Sequence, residues 1–399
     1  MRDDMRFGRR GFIQLSAAGA AALVFKGNLV GCADPLGQGS QDTGTPPGST
    51  PFSPTGIPAL RVVYSSDPGM LTGTPSTWDY DSQNRYVDAV QVGESLDRMA
   101  MALSGQSTSQ EAWRAIFLKP DTKNWSEVKA GIKVNTVYAS CIPRHAVLAK
   151  ICTVLIDELG MAGHNICIYD CDKTAHAGHA AGVAATYAAN TASYPFPAGV
   201  LINANLFSGD VSSVEVAGGA ISPVTCLKDL VDGTVDILVN VAVNKGHYQA
   251  GNVTLCQKNN IGAVKFFCPG KTVAVGQGVY TEGSAQDLVA INQCEALVGG
   301  NPPRQQLCIL DSLWAMKQGP AGGGITHQPG VLAMGIHPGA VDYLAEKKIR
   351  DEMMGCPSTR QDDINTFITG YGFTDSERRQ LTELDPADNH GKGWVDARA

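Results

Sequence analysis

Short apolar runs alternate with longer segments of helical periodicity from about residue 60 to the end of the chain. Runs of four to nine mostly apolar residues predict strands at 61–64, 131–138, 166–169, 200–203, 235–243, 307–310 and 331–335. Apolar positions three and four residues apart predict helices at 87–103, 109–117, 144–159, 175–189 and 340–353. This alternation is typical of an α/β fold, with a mainly parallel sheet and helices on both faces.

Local end signals refine three of these helices. Ser109 is a candidate N-cap, and Pro338 suits the first turn of the helix that follows it. A capping box at 374–377 (Thr-Asp-Ser-Glu) opens a last helix. Because no repeat of 20 to 50 residues is visible, we predict a single domain with excursions over residues 59–399.

The first 31 residues have the composition of an export signal. Four arginines precede an apolar run at 13–25, and residues 8–14 (GRRGFIQ) resemble the twin-arginine signal. The run is too short to span a bilayer. Leu29-Val30-Gly31-Cys32 resembles a bacterial lipobox, although a plain signal peptide with a chance cysteine is the alternative. We predict an exported, periplasmic or cell-surface lipoprotein that engages the twin-arginine machinery and is anchored to a membrane through Cys32.

Residues 32–58 are dominated by glycine, proline, serine and threonine, which predicts a disordered tether between the lipid and the domain. Removal of residues 1–31 takes away five basic and two acidic residues, so the formal net charge falls from −7 to about −10. Twin-arginine substrates cross the membrane folded, so a cofactor inserted in the cytoplasm is permitted.

Composition narrows the class of protein. The 399 residues are 43% hydrophobic and 17% charged, which is too apolar for a disordered chain and enough for a large core. A net charge of −7 argues against a nucleic-acid partner. Eleven cysteines in a chain of this length are too sparse for a disulfide scaffold. A soluble α/β enzyme or binding protein remains.

Polar residues that follow the predicted strands are the candidates for chemistry, since open α/β sheets bind ligands at the carboxyl edge of their strands. The candidate ligand-binding residues are Lys133, Asn135, Lys258, Asn259, Gly262, Gly322, Gly323 and Asp342. Lysines and amides attract a carboxylate or a phosphate, and the glycine-rich loop at 319–324 adds backbone N–H groups. The alternative is that these lysines and asparagines only satisfy loop carbonyl groups.

Catalysis is assigned to Lys245, His247 and Asp311. We expect His247 to be a general acid or base because an ordinary histidine titrates near working pH. Asp311 then orients the imidazole or a lysine. This set favours proton transfer on a small anionic metabolite, in the manner of an isomerase or lyase.

A metal site is the competing interpretation. His145, Asp170, Asp172 and His247 are candidate ligands for zinc, manganese or iron at one sheet edge. His176 and His179 share a helix face, but surface histidines are the simpler interpretation of that pair. His327 and His337 lie near the same region without a motif. The sequence therefore leaves the presence of a metal ion open.

Five blocks of sequence resemble, in order, an uncharacterised family catalogued as domain of unknown function 362. They are GIKVN, DILVNVAVNKGH, VTLCQKNNIGAV, LCILDSLWAMKQGPAGG and VLAMGIHPGAVDYLA. The pattern extends from about Asp97 to Glu346, and its most specific part is the strand followed by Lys-x-His and then Lys-Asn-x-x-Gly. Some exported members resemble this chain in carrying a twin-arginine signal and an AWRAIF block.

The resemblance implies an α/β fold but no settled activity. Other members carry a ferredoxin-like iron–sulfur segment, which requires a Cys-x-x-Cys-x-x-Cys run that this chain lacks. Three functions are therefore open: proton transfer on a small anion, a non-catalytic ligand-binding lipoprotein or subunit of a membrane-side redox assembly, and a metalloprotein.

Overall fold

The computed structural model describes residues 55–138, 140–170, 182–216, 224–247, 250–265, 284–318, 324–383 and 394–396. All of these residues belong to one compact unit. Several sequence predictions lie outside the described residues: the signal, the lipobox with Cys32, most of the tether, and Asp172, His176, His179, Gly322 and Gly323.

A nine-stranded sheet, counted over the described residues, forms the centre of the molecule. In chain order its strands are β1 (Val62–Ser65), β2 (Ala130–Lys133), β3 (Ile166–Tyr169), β4 (Leu201–Asn203), β7 (Ile237–Gly246), β8 (Val253–Thr254), β10 (Gln305–Met316), β11 (Val331–Gly335) and β12 (Trp394–Asp396). Their spatial order is β12-β1-β11-β10-β7-β2-β3-β4, with β8 paired to the end of β7. Only β8 and β11 run against the other described strands.

A second sheet of three described strands forms an excursion beside the first. It consists of β5 (Val211–Val214), β6 (Val224–Leu227) and β9 (Val264–Lys265), all paired antiparallel. Val214, Val224 and Val264 join Cys167 and Leu238 of the main sheet in one apolar cluster. The small sheet therefore packs against the large sheet through this apolar cluster.

Helices cover both faces of the main sheet. They are α1 (Tyr80–Asn84), α2 (Ala89–Ser104), α3 (Ser109–Ile116), α4 (His145–Thr153), α5 (Val183–Thr186), α6 (Lys228–Val231), α7 (Cys256–Asn259), α8 (Ala285–Asn292), α9 (Pro338–Leu344), α10 (Gln361–Thr369) and α11 (Asp375–Glu383). Wider turns extend α4 over Val154–Glu158 and α9 over Ala345–Met353. Helices α2, α3 and α4 cover one face, and α7 to α10 cover the other.

The predicted α/β class is confirmed. The strands at 166–169 and 331–335 have the predicted bounds, because continuous apolar runs are typical of strands buried on both faces. The capping box also forms: Thr374 N donates to Glu377 Oε2 at 2.8 Å, and Glu377 N donates to Thr374 Oγ1 at 3.2 Å. None of the described helices is both long enough and apolar enough to cross a bilayer.

Several predicted bounds differ from the structure. The strands expected at 235–243 and 307–310 extend over Ile237–Gly246 and Gln305–Met316, so Lys245 and Asp311 lie within strands rather than after them. The strand expected at 131–138 ends at Lys133, because the chain turns over the sheet edge where Val134 and Asn135 follow. The N-cap of α3 is Thr108 rather than Ser109, since Thr108 Oγ1 accepts the N–H of Glu111 at 3.3 Å. The end of β2 at Lys133 matters for function, because residues 134–138 form a loop at the edge of the sheet instead of the end of a strand.

Candidate functional site

Four parallel strands end at one edge of the sheet, and a loop from β2 to α4 lies over that edge. Lys133 ends β2, Asp170 follows β3, Lys245 is near the end of β7, and Asp311 lies within β10. Because β2, β3, β7 and β10 all run in the same direction, their carboxyl ends share this edge. We call the set formed by these four residues with Asn135 and Arg144 of the loop the edge cluster.

Lys133 and Asp170 form a buried ion pair. Lys133 Nζ donates to Asp170 Oδ1 at 2.7 Å and to the carbonyl oxygen of Val134 at 2.7 Å. The other carboxylate oxygen, Asp170 Oδ2, accepts the N–H of Thr136 at 2.6 Å and its hydroxyl at 2.8 Å. The pair therefore holds the loop to the ends of β2 and β3.

Lys245 is buried beside this pair but bonds a neutral group. Its Nζ donates to Asn135 Oδ1 at 2.8 Å and lies 5.5 Å from the centroid of the Tyr138 ring. Burial lowers the pKa of Lys245 to about 8, and the positive charges of Arg144 and Lys133 contribute in the same direction. The amine can therefore exchange a proton near neutral pH.

Arg144 and Asp311 form a second buried pair within the cluster. The backbone N–H of Arg144 donates to Asp311 Oδ2 at 2.7 Å, and Arg144 Nε lies 3.7 Å from the same oxygen. The guanidinium also lies over the ring of Trp314, 5.6 Å from its centroid. Burial raises the pKa of Asp311, whereas the charge of Arg144 opposes that shift.

The charges of the edge cluster do not balance. It holds three buried cations, Lys133, Arg144 and Lys245, and two buried carboxylates, Asp170 and Asp311. Lys133 and Arg144 each have a carboxylate partner, whereas the described bond of Lys245 is to an amide. An uncompensated buried charge is costly, so the described part of this edge favours an anion.

Gly246 explains one part of the Lys-Gly-His block. A side-chain carbon at this position would overlap the carbonyl oxygen of Lys317, which follows the end of β10. The glycine therefore allows β7 and β10 to stay in contact beyond Lys245, which keeps Lys245 at the shared edge.

The surroundings of His247 do not suit a general acid or base. Its backbone N–H donates to the carbonyl oxygen of Asn252 at 2.7 Å, and the positive charge of Lys258, on α7, acts on its imidazole. Burial and this charge lower the pKa of His247 to about 3. The expectation that His247 titrates near working pH is therefore wrong, and Lys245 is the member of the predicted set that does so.

Asp342 and Asn259 have mainly structural contacts. The carboxylate of Asp342 accepts the N–H groups of Cys256 at 2.7 Å and Gln257 at 2.9 Å, which holds the start of α7. Asn259 Nδ2 donates to the carbonyl oxygen of Lys133 at 3.2 Å and to Asn240 Oδ1 at 2.8 Å. These bonds position α7, which carries Lys258, against β2 and β7. The prediction that Asp342 and Asn259 contact a ligand stays a prediction. Gly262 ends the turn after α7.

Asp342 should make stability depend on pH. Burial raises its pKa to about 7, against the opposing effect of its N–H donors. Between about pH 4 and pH 7 the folded state then holds a proton that the unfolded chain releases, so the free energy of unfolding falls as pH rises. Asp342→Asn should flatten this fall. Urea unfolding at pH 4.5, 5.5, 6.5 and 7.5 measures it, and equal slopes for both proteins would contradict the assignment.

The proposed metal ligands are not gathered among the described residues. His145 Nε2 lies 3.0 Å from the carbonyl oxygen of Pro195, and its ring packs against Tyr194 and Phe196. Both oxygens of Asp170 are used by Lys133 and Thr136. Within the described ranges no three His, Cys, Asp or Glu side chains form a group that could hold a metal ion. His337 caps α9, where its Nδ1 accepts the N–H of Ala340 at 3.4 Å.

Sequence reasoning missed Arg144, Tyr80 and Trp314. Arg144 precedes α4 and is 1% exposed, although arginine at a helix start ordinarily faces solvent. Burial raises the pKa of Tyr80, and Arg144 and Asp311 both act on that hydroxyl, so Tyr80 lies close to the pair. The signal that was available for Arg144 was its position in the loop after the Lys-x-Asn strand.

Comparison with known proteins yields one family. The sequence pattern of the family described as "Domain of unknown function (DUF362)" matches residues 130–346, more than half of the chain. No curated protein matches the sequence. The matched range begins at β2, where the edge cluster begins, and includes all of the cluster as well as α7 and α9. On this match the chain belongs to the family of domain of unknown function 362.

Proposed function

We propose that this protein binds a small carboxylate- or phosphate-bearing metabolite at the edge cluster. The observation that carries the proposal is Lys245, a buried amine whose hydrogen bond among the described residues is to a neutral amide, within a cluster of three cations and two carboxylates. One negative charge on a ligand would balance the described cluster. Charge-assisted hydrogen bonds to a buried ammonium group are strong enough to orient such a ligand.

We further propose that Lys245 transfers a proton to or from the bound molecule. An efficient acid or base has a pKa near the working pH, and the pKa of Lys245 is about 8. Lys133 and Arg144 support this role, because their charges help to keep the pKa of Lys245 low. Asn135 positions the amine through its 2.8 Å hydrogen bond. Proton removal next to a carboxylate or carbonyl group is the reaction class that fits.

A ligand screen tests the first step. Purified protein is heated with inorganic phosphate, small organic acids and organophosphates, and a ligand present at 100 times its Kd should stabilise the fold by about 2.7 kcal/mol. If no anion in the panel shifts the unfolding temperature of the well-folded protein, the proposal fails.

Hydrogen exchange tests the second step. The acids that bind are incubated with the protein in D₂O, and loss of their C–H signals is followed by proton NMR. The ligand is kept at saturating concentration, because binding is expected to weaken as Lys245 loses its proton. An exchange rate of the bound acid that rises with pH through about 8 then supports Lys245 as the base. Binding without exchange would instead support the alternative of a non-catalytic ligand-binding protein.

We also propose that the protein is exported and anchored through an acyl group on Cys32, as the lipobox at 29–32 indicates. Cys32→Ser should move the protein from the membrane fraction to the soluble fraction of the cell envelope, because the acyl chains supply the membrane affinity. Mass spectrometry of the mature N-terminus checks this. An unmodified Cys32 in the membrane-bound protein would contradict the proposal.

A further inference from the structure

Three buried side chains around Arg144 have hydrogen-bond donors for which the described residues supply no acceptor. We call these side chains, Tyr80, Arg144 and Trp314, the wall of the edge cluster. Tyr80, Arg144 and Trp314 are 6%, 1% and 1% exposed. Among the described residues, no partner accepts from Tyr80 OH, Arg144 Nη1 or Trp314 Nε1. A buried donor without a partner costs about 1–3 kcal/mol, so three such donors together indicate a group that accepts from them.

These three side chains are neighbours. The guanidinium carbon of Arg144 lies 5.6 Å from the centroid of the Trp314 ring. The ring of Tyr80 lies edge-on to Tyr187, 5.4 Å between centroids, and Tyr187 OH donates to the carbonyl oxygen of Pro143, the residue before Arg144. Burial raises the pKa of Tyr80 well above its usual range, so its hydroxyl stays protonated. Asp311, the partner of Arg144, lies opposite Val243 in the pairing of β10 with β7, two residues before Lys245. The wall that holds the three donors is therefore next to Lys245.

The donors restrict the chemistry of what they can bind. The N–H groups of arginine and tryptophan only donate, so their partner must be an acceptor such as an oxygen atom. Arg144 and Asp311 together carry no net charge, so this wall suits a neutral oxygen. The excess positive charge belongs to the second group of the cluster, Lys133, Asp170 and Lys245. A ligand that fits both groups has one negative charge and one neutral oxygen.

We infer that the ligand is an oxygen-substituted monocarboxylate, an oxo acid or a hydroxy acid. Its carboxylate lies against Lys245, and its neutral oxygen accepts hydrogen bonds from Tyr80, Arg144 and Trp314. This inference rests on the proposed function and adds the substrate class. It also agrees with the proposed reaction, because an adjacent carbonyl oxygen held by donors stabilises the charge that develops when a proton is removed.

Calorimetric titration with three matched acids tests the inference. Butyrate lacks the neutral oxygen that 2-oxobutyrate and 2-hydroxybutyrate carry, and the two substituted acids distinguish a carbonyl from a hydroxyl. We expect the better of the two to bind the wild-type protein at least tenfold more tightly than butyrate. Malonate, which has two negative charges, should bind more weakly than that acid.

Two conservative variants test the named donors. Tyr80→Phe and Trp314→Phe should each reduce the preference over butyrate by about tenfold. Tyr80→Phe should leave the unfolding temperature of the free protein unchanged or higher, because the hydroxyl that it removes donates to none of the described residues.

Tyr187→Phe is the matched control. Tyr187 is also buried, but its hydroxyl donates to the carbonyl oxygen of Pro143 at 2.9 Å. This variant should lower the unfolding temperature and keep the preference for the substituted acid.

The outcomes separate the two proposals. If all three monocarboxylates bind equally well, or if Tyr80→Phe and Trp314→Phe keep the full preference, the substrate class is wrong while the anion site stands. Tighter binding of malonate would also overturn it, since the charge assignment would be wrong. If no acid or phosphate binds the wild-type protein, the proposed function fails and this inference fails with it.

Discussion

Replacing Lys245 with methionine is expected to weaken binding of the anionic ligand about 100-fold and to abolish proton exchange. Methionine has a similar length but no charge, so the described cluster becomes electrically balanced before the ligand arrives. A 100-fold loss corresponds to about 2.8 kcal/mol, within the usual effect of removing one buried charged partner. Calorimetric titration and proton NMR in D₂O measure the two effects.

The stability of Lys245→Met shows whether a loss of binding comes from the missing charge or from misfolding. The variant should be as stable as the wild type or more stable at pH 7, because burial disfavours the charged amine of Lys245. Lys228→Met is the control, since that side chain is 49% exposed and lies 3.9 Å from Asp210, in the small sheet region. It should change neither affinity nor exchange. Unchanged affinity in Lys245→Met would remove the anion site from this edge.

The pH dependence gives an independent check. The pKa of Lys245 is lowered to about 8, so the fraction of protonated amine falls above that pH. The affinity of the wild-type protein for an anion should therefore decrease by up to tenfold per pH unit above about 8. Lys245→Met should lack this decrease.

The second large effect is expected from Asp311→Ala, which should lower the free energy of unfolding by about 3–5 kcal/mol. Asp311 is 1% exposed, and its carboxylate accepts the backbone N–H groups of Arg144 and Leu313 at 2.7 and 3.2 Å. Its removal leaves the Arg144 guanidinium buried without its described ion-pair partner. Urea denaturation at pH 7 measures the loss.

A double-mutant cycle isolates the ion pair. Arg144→Met removes the guanidinium but keeps the backbone N–H that Asp311 accepts. The double variant Arg144→Met with Asp311→Ala should be less destabilised than the sum of the two single variants, because neither charge is then buried alone. Strictly additive effects would show that the two side chains do not interact.

Much of the fold could be predicted from the chain because its signals are local. The apolar run at 166–169 and the run at 331–335 predict strands without reference to any distant residue. Polar residues after parallel strands also indicate which edge carries the chemistry. The small sheet β5-β6-β9 was missed, since two of its strands have only two to four residues with weak alternation.

The candidate site could be predicted in part. Lys133, Asn135, Lys245 and Asp311 follow from position alone, and the structure places all four in the edge cluster. Arg144 could not be found in this way, because the sequence shows an arginine before a helix and does not show that its side chain is buried. The low pKa of His247 likewise depends on burial and on Lys258 of another element.

By itself, the amino-acid sequence determined the α/β class, the family resemblance and the sheet edge at which ligand chemistry is expected. Tertiary structure alone decided which polar groups meet there: Lys245 and Asn135 are 110 positions apart, and Arg144 and Asp311 are 167 apart. The physical reason is that strand and helix signals act between near neighbours, whereas charge balance and pKa depend on burial and on partners that only folding brings together.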